Sequence, residues 1–472
     1  MRQIYEFILF APSTFLMERR YAADVVFREF LGINVTLKVE DRENWCLLDR
    51  EKKAKLYLPD CFFKNYKRLW LKKESMPLLP LNILHSERIL PEAVLVEPDL
   101  PILFGERTKD GSWFQVENER TARLGVDVLG AAFFMLTRYE ELVVNERDEH
   151  GRFPGYASLA YRAGFLDRPI IDEYVELLWA VIKRLWPNVG RKKRSFRVCP
   201  THDVDSPFAH QSLGRLGSIR ASFGDFLKRG APKLAIRRAI SALLPPKLQD
   251  AVDPNNTFNW IMDLSERYGL KSTFYFMAGG APPYHPLYAL DEPRIRRLIR
   301  SIHRRGHEIG LHGSYDAMEK PSMIAAERQK IDYVLREEGI WQSGLGGRQH
   351  YLRWSADSTW RAYDEAGLTY DSSLGYADIP GYRTGTSLEY PVFDLINRKV
   401  LNLYERPLIF MEASLLSKQY GNLDREDALN KIKDLIKATR RVQGTFTFLW
   451  HNSFLQYAFL RRIYKQCLEA CS

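Results

Sequence analysis

From residue 196 onward, apolar runs alternate with amphipathic stretches. SFRVCPT (195–201), STFYFMA (272–278), HEIGL (307–311) and TFTFLW (445–450) have the length and β-branched or aromatic character of buried strands. Between them, 294–305, 322–337 and 424–441 repeat apolar positions at helical spacing. In the second, Ile324, Ile331, Val334 and Leu335 share one face, and Asp424 stands where a cap would start the third. Strand–helix alternation of this length predicts an α/β fold with a parallel sheet or barrel, whose chemistry gathers at the C-terminal ends of its strands.

Before residue 190 the pattern is mixed. Short apolar runs (YEFILF, PILFG) neighbour a clear helix from Ile171 to Trp186, with Tyr174, Val175, Leu178, Ile182 and Leu185 on one face and Pro187 as its stop. The charged run RKKR at 191–194 then predicts a boundary: a smaller mixed α/β domain over 1–190 and a larger domain over 195–472. Within the larger one, residues 210–250 break the alternation. Arg215, Arg220, Lys228, Arg229, Lys233, Arg237, Arg238 and Lys247 stand there against only Asp225 and Asp250, and Leu234, Ile236, Ile240, Leu243 and Leu244 supply an apolar side. This predicts an insertion bearing either a solvated basic face or a basic amphipathic surface for membrane or polyanionic glycan.

Composition narrows the class. With 472 residues, 45% hydrophobic and 27% charged, the chain is globular rather than disordered, collagenous or coiled coil. A net charge of +10 favours anionic partners without choosing among them. No recognition motif or aromatic–basic repeat supports nucleic acid. The five cysteines, Cys46, Cys61, Cys199, Cys467 and Cys471, form no CxxC pair, which favours a reducing compartment. No signal-peptide pattern and no apolar run of about 20 residues is present. The expectation is a cytoplasmic protein, peripheral at the inner membrane face if 210–250 contacts lipid.

Three groups of polar residues follow predicted strands. In Thr201-His202-Asp203-Val204-Asp205, extended backbone sends Asp203 and Asp205 to the same side, a pairing suited to a general base beside a metal ligand. In GHEIGLHGSYD, His312 ends a strand and Asp316 follows four residues later. A helical turn there would put both on one face, where they would reach one borderline cation such as Zn²⁺, Co²⁺ or Mn²⁺. His307, at the strand's start, reads as structural. In TFLWHN, His451 ends an apolar strand, a setting for an acid that titrates near neutral pH. Arg348 and Arg353 in GGRQHYLRWS offer a bidentate clamp for a carboxylate, and YDSS (370–373) follows.

The order DxD, HxxxD, arginine, YDSS and strand-terminal histidine resembles the polysaccharide deacetylase family, carbohydrate esterase family 4, with its chitooligosaccharide deacetylase-like domains, over residues 195–472. FNWIMDLSERYGLKSTFYFM (258–277) is similar to that family's first helix and second strand. The resemblance implies a distorted (β/α) barrel and metal-dependent removal of N-acetyl or O-acetyl groups from a polysaccharide, glycan precursor or lipid-linked sugar. It implies Asp203 as base, Asp205 and His312 as metal ligands, His451 as acid and Arg348 as the residue orienting the base, with Arg353 as the alternative. Asp371 is a further candidate, as support for His451.

One departure stands out. The family's second motif reads His-(Ser/Thr)-x-x-His, and Asp316 occupies the second histidine's place here. Asp205, His312 and Asp316 are therefore the expected ligands of a divalent metal, Zn²⁺ first. Cyclic-amide hydrolases on the same barrel, whose motif also begins His-Gly, work without metal, so a metal-independent amide hydrolase and an inactive glycan-binding scaffold stand as alternatives. DVLGAAFFMLTRYEEL (127–142), GRFP (151–154), FLDRPIIDEYVE (165–176), GYRTGTS (381–387) and RPLIFMEASL (406–415) resemble a bacterial subgroup that carries an N-terminal accessory domain. Arg138 with Glu140 and Glu141 reads as a surface ion-pair cluster.

Overall fold

The computed structural model describes residues 6–51, 53–64, 68–284 and 288–472. The first part of the chain builds a six-stranded sheet from β1 (Phe7–Ala11), β2 (Val35–Val39), β3 (Trp45–Asp49), β4 (Lys55–Leu58), β7 (Phe114–Asn118) and β8 (Thr121–Leu124), in the order β2-β1-β3-β4-β8-β7. A separate antiparallel pair is formed by β5 (Asn82–His85) and β6 (Asp99–Ile102). The helix Val128–Leu136 is apolar on every side, and it is buried along its whole length, as such a sequence requires. Ile170–Leu185 packs beside it and ends before Pro187.

The second part forms a nine-stranded sheet from β9 (Arg197–Val204), β10 (Thr273–Met277), β11 (Glu308–Gly313), β12 (Gly346–Gln349), β13 (Tyr370–Asp371), β14 (Tyr390–Asp394), β15 (Lys399–Glu405), β16 (Phe410–Met411) and β17 (Thr445–Leu449). The order is β14-β15-β13-β12-β11-β10-β9-β17-β16, and every pairing is parallel except β14 with β15. The fold class is α/β, with the sheet curled into a half-barrel. The curl shows in one bond: Arg348 on β12 donates to the Thr201 hydroxyl on β9 at 2.7 Å. Three strand spacings in a flat sheet would separate their backbones by about 14 Å. Residues 406–409 bridge the opposite side, where the N–H groups of Arg406, Leu408 and Ile409 bond the carbonyls of Asp371, Leu374 and Thr447.

The two parts share one apolar core. Phe133 meets Phe393 edge-on at 5.4 Å, and the Tyr21 hydroxyl donates to the Pro391 carbonyl at 2.9 Å. Arg138, Glu140 and Glu141, expected on the surface, are buried at this contact. Their position is set by Arg383, 242 residues further on, which donates from Nε and Nη2 to the two Glu141 oxygens at 2.9 and 2.6 Å. Between β9 and β10 the insertion is helical: Ala209–Leu227 with a non-helical Gly214, then Pro232–Leu243 and Pro246–Val252. Among the described residues no helix is long and apolar enough to cross a membrane.

Candidate active site

The parallel strands deliver their polar ends to one place. On β9, alternate residues face opposite sides. His202 turns to the packed side, against Phe274 with ring centroids 4.9 Å apart, and its Nδ1 bonds the Trp450 carbonyl at 2.8 Å. Burial pushes its pKa down to about 3, so this ring is a neutral structural group. Thr201 and Asp203 turn to the other side, and Asp205 follows just past the strand.

Arg348 clamps that side. Nη1 donates to the Thr201 hydroxyl at 2.7 Å and to Asp203 Oδ1 at 3.1 Å, Nε donates to the Ser372 carbonyl at 2.8 Å, and Nη2 donates to the Ser372 hydroxyl at 2.8 Å. With every guanidinium nitrogen engaged and the side chain fully buried, Asp203 is held in one orientation. Arg353 lies elsewhere. It donates to the carbonyls of His150 and Tyr315 and pairs with Glu319.

Three imidazoles converge on Asp205. His312 Nε2 is 3.2 Å from Oδ1, while His350 Nε2 and His451 Nε2 are 3.6 and 3.4 Å from Oδ2. Burial opposes the Asp205 carboxylate, but His350, His312 and His451 hold its pKa well below the ordinary value. His312 Nδ1 lies 2.9 Å from the Arg348 carbonyl, an acceptor only. That nitrogen therefore carries a hydrogen, and Nε2 is directed at the carboxylates. Burial resists charge on His312, yet Asp203 and Asp205 raise its pKa, so the pocket favours positive charge at this point.

The donor set fits a metal ion. Among the described residues, ligand atoms of Asp205, His312 and His350 lie within 4.8 Å of one another. Asp205 Oδ1 and His312 Nε2 are buried without a hydrogen-bond partner, which leaves both available. Donors bound tetrahedrally at about 2.1 Å stand roughly 3.4 Å apart, close to the separations seen here. Two imidazoles and a carboxylate suit Zn²⁺, Co²⁺ or Mn²⁺.

Asp316 is outside this group. The i,i+4 relation to His312 required a helical turn directly after the strand. Instead the chain stays extended through Ser314 (φ −66°, ψ 158°) and turns only at Tyr315–Met318, where Asp316 is half-buried. His350 enters from the turn that directly follows β12, which runs parallel to β11 with His312 opposite Arg348. A sequence signal for it existed: His350 stands two residues after Arg348 with extended Gln349 between them, and so faces the same side.

His451 has a partner that sequence reasoning missed. Its Nδ1 lies 2.5 Å from Glu412 Oε1, and Glu412 is fully buried. Burial opposes charge on the ring, but Glu412 and then Asp205 raise its pKa to about 10. Asp371 bonds the N–H and hydroxyl of Ser373 instead, and burial pushes its carboxyl up to about 6.

The rim is aromatic, and the first part of the chain contributes to it. Tyr284 stacks on Tyr315 with centroids 4.0 Å apart, and His150 Nδ1 lies 3.0 Å from the Tyr315 hydroxyl. Tyr351 and Leu352, directly after His350, both adopt positive φ (61° and 54°), a strained state for side chains of their size. Arg152 holds that turn by donating to the Tyr351 carbonyl at 2.9 Å.

Residues 7–187 match a family of unknown function, DUF7033. No curated protein matches the chain. Among solved structures, a protein designated a polysaccharide deacetylase from Mycobacterium smegmatis is similar at 18% identity and a TM-score of 0.38, over 60% of this chain and 85% of that one. Puue allantoinase is similar at 14% identity and a TM-score of 0.34, over 58% and 83%. A protein designated a polysaccharide deacetylase from Pseudomonas aeruginosa PAO1 is similar at 15% identity and a TM-score of 0.34, over 58% and 83%. At these scores the chemistry of the site rests on its own geometry.

Proposed function

We propose that this chain is a metal-dependent hydrolase that removes an acetyl group, N-linked or O-linked, from a glycan or a lipid-linked glycan precursor. The observation that carries the reading is the division of labour around Asp203 and Asp205. One carboxylate is clamped by Arg348, the other sits among imidazole donors, and a histidine–carboxylate pair closes the opposite side.

Asp205, His312 and His350 would hold a divalent cation, which when bound lowers the pKa of water and polarises an acyl oxygen. Asp203, with Oδ1 fixed by Arg348, takes the proton from the attacking water. His451 carries its proton at neutral pH, oriented by Glu412, and delivers it from Nε2 to the departing amine or alcohol. The acyl carbon leaves as acetate, and the sugar keeps a free amine or hydroxyl. The aromatic rim of Tyr284, Tyr315 and Tyr351 suits the apolar face of a sugar ring.

The test is acetate release from acetylated chitooligosaccharides by metal-loaded protein, together with metal content of wild type, His350→Ala and Asp316→Ala. About one ion per chain, lost in His350→Ala and kept in Asp316→Ala, with acetate produced, is the expected result. Glycan binding without acetate release would make the chain a binding scaffold. Acetate release from protein free of metal would point to amide hydrolysis by side chains alone.

A further inference from the structure

The two longer helices of the insertion, Ala209–Leu227 and Pro232–Leu243, pack with their polarity reversed. The side facing the partner helix is small and polar. Asp225 and Arg238 form a buried ion pair at 2.7 Å, and the Ser222 hydroxyl donates to the Ala235 carbonyl at 2.6 Å. Arg238 also donates to Gln456, tying the hairpin to the body of the molecule.

The large apolar side chains point outward. Leu216 is 85% exposed, Leu227 76%, Leu243 75% and Phe223 65%. They follow helical spacing: Leu216, Phe223 and Leu227 lie on one stripe, and Ile236, Ile240 and Leu243 on another, both solvent-facing. Isolated exposed leucines are ordinary, but a stripe of large apolar side chains along the outer side of each helix is surface that water alone does not stabilise. Arg215, Arg220, Lys228 and Lys233 are exposed around it and have no acidic partner among the described residues, while Asp225 is turned inward. Arg220 lies within the first stripe, between Leu216 and Phe223.

We propose that this hairpin docks the protein on an anionic lipid bilayer, laying the Leu216/Phe223/Leu227 side of its first helix into the interface while the neighbouring cations meet acidic headgroups. An apolar face bordered by unpaired cations is the pattern that lies in a membrane interface. The turn between the two helices borders a cavity of about 1170 Å³, lined by Lys233, Leu234, Leu416, Phe454 and Leu460, that reaches Glu412, the partner of His451. The inference stands whether or not the proposed hydrolysis is correct, because it rests on the surface alone.

The experiment is vesicle co-sedimentation of the full chain, with phosphatidylcholine vesicles beside vesicles that also contain phosphatidylglycerol. Wild type is expected to bind the anionic vesicles and to release as salt rises. Arg220→Glu and Lys228→Glu should each weaken binding by about fivefold or more. The double variant Phe223→Glu/Leu227→Glu should lose binding at least about tenfold while keeping the wild-type circular dichroism spectrum, since both positions face solvent. Phe223→Trp adds a readout of depth, because brominated acyl chains should quench it on binding. Absence of vesicle binding by wild type, or undiminished binding by the double variant, overturns the proposal. So does self-association that disappears in the double variant without any vesicle binding, which would make a second copy of the chain the occupant.

Discussion

The cluster of Arg138, Glu140, Glu141 and Arg383 and the cluster of Asp203, Asp205, His312, His350 and His451 both bring acids and bases together out of water. In the first, every side-chain nitrogen and oxygen has a partner. Glu141 receives Arg138 and Arg383, and Glu140 receives Arg138 and the Leu159 N–H. In the second, Asp205 Oδ1 and His312 Nε2 face each other at 3.2 Å without a hydrogen bond. Complete pairing offsets the desolvation of buried charge and locks a contact. Pairing that stops short leaves donors directed at one point, the property a ligand site needs. The difference separates a clamp from a centre for chemistry more clearly than burial does, because both are buried.

The strongest way to break this contrast is at the acid and base. Asp203→Asn or His451→Ala should reduce acetate release by about 10²–10⁴-fold in protein whose circular dichroism spectrum matches wild type. A variant that kept wild-type turnover would remove that residue from the chemistry. The mirror experiment is Glu141→Ala, which leaves Arg138 and Arg383 buried without their shared carboxylate. It should cost about 3–5 kcal/mol in urea denaturation. Protein that still folds should keep its metal content, and loss of metal without loss of stability would erase the distinction between the clusters.

Smaller effects sharpen it. Arg152→Met removes the donor that holds the strained turn after His350 and should weaken metal binding by about tenfold in competition with a chelator, with Arg152→Lys recovering part of it. An unchanged metal affinity would show that His350 is placed by its own strand. The smallest expected effect is in pH. Burial opposes the Glu141 carboxylate, but Arg383 and then Arg138 hold its folded pKa below the ordinary value. Its contribution to stability is therefore complete above the unfolded value of about 4.3 and is lost as pH falls through the folded one. Unfolding free energy measured across acid pH should decline less steeply for Glu141→Gln than for wild type, and parallel curves would remove Glu141 from the acid transition.

Much of the site was legible because it depends on local geometry. Asp203 and Asp205 share a side because extended chain repeats every two residues, and His312 and His451 lie at the ends of apolar runs that become strands β11 and β17 of one parallel sheet. The reading failed where it assumed a local conformation. Asp316 belongs with His312 only if helix begins at once, and two more extended residues separate them. Arg138 with Glu140 and Glu141 looked like a surface cluster because its third partner, Arg383, is remote in sequence. Glu412 gave no signal either, since nothing in RPLIFMEASL says that its carboxylate meets a histidine 39 residues later.

Taken alone, the amino-acid sequence determined the alternation of strand and helix, the α/β class, the strand-end position of Asp203, Asp205, His312 and His451, and the cationic character of the insertion. These follow from period, spacing and composition, which act within a few residues. The tertiary structure decided which groups meet. Curling of the sheet carried Arg348 to Asp203 and His350 to Asp205, and packing of the two parts buried Arg138 while the insertion turned most of its large apolar side chains outward. Those choices depend on contacts between residues far apart in the chain, where the cost of leaving charge unpaired or apolar surface in water is set by the whole assembly rather than by any one segment.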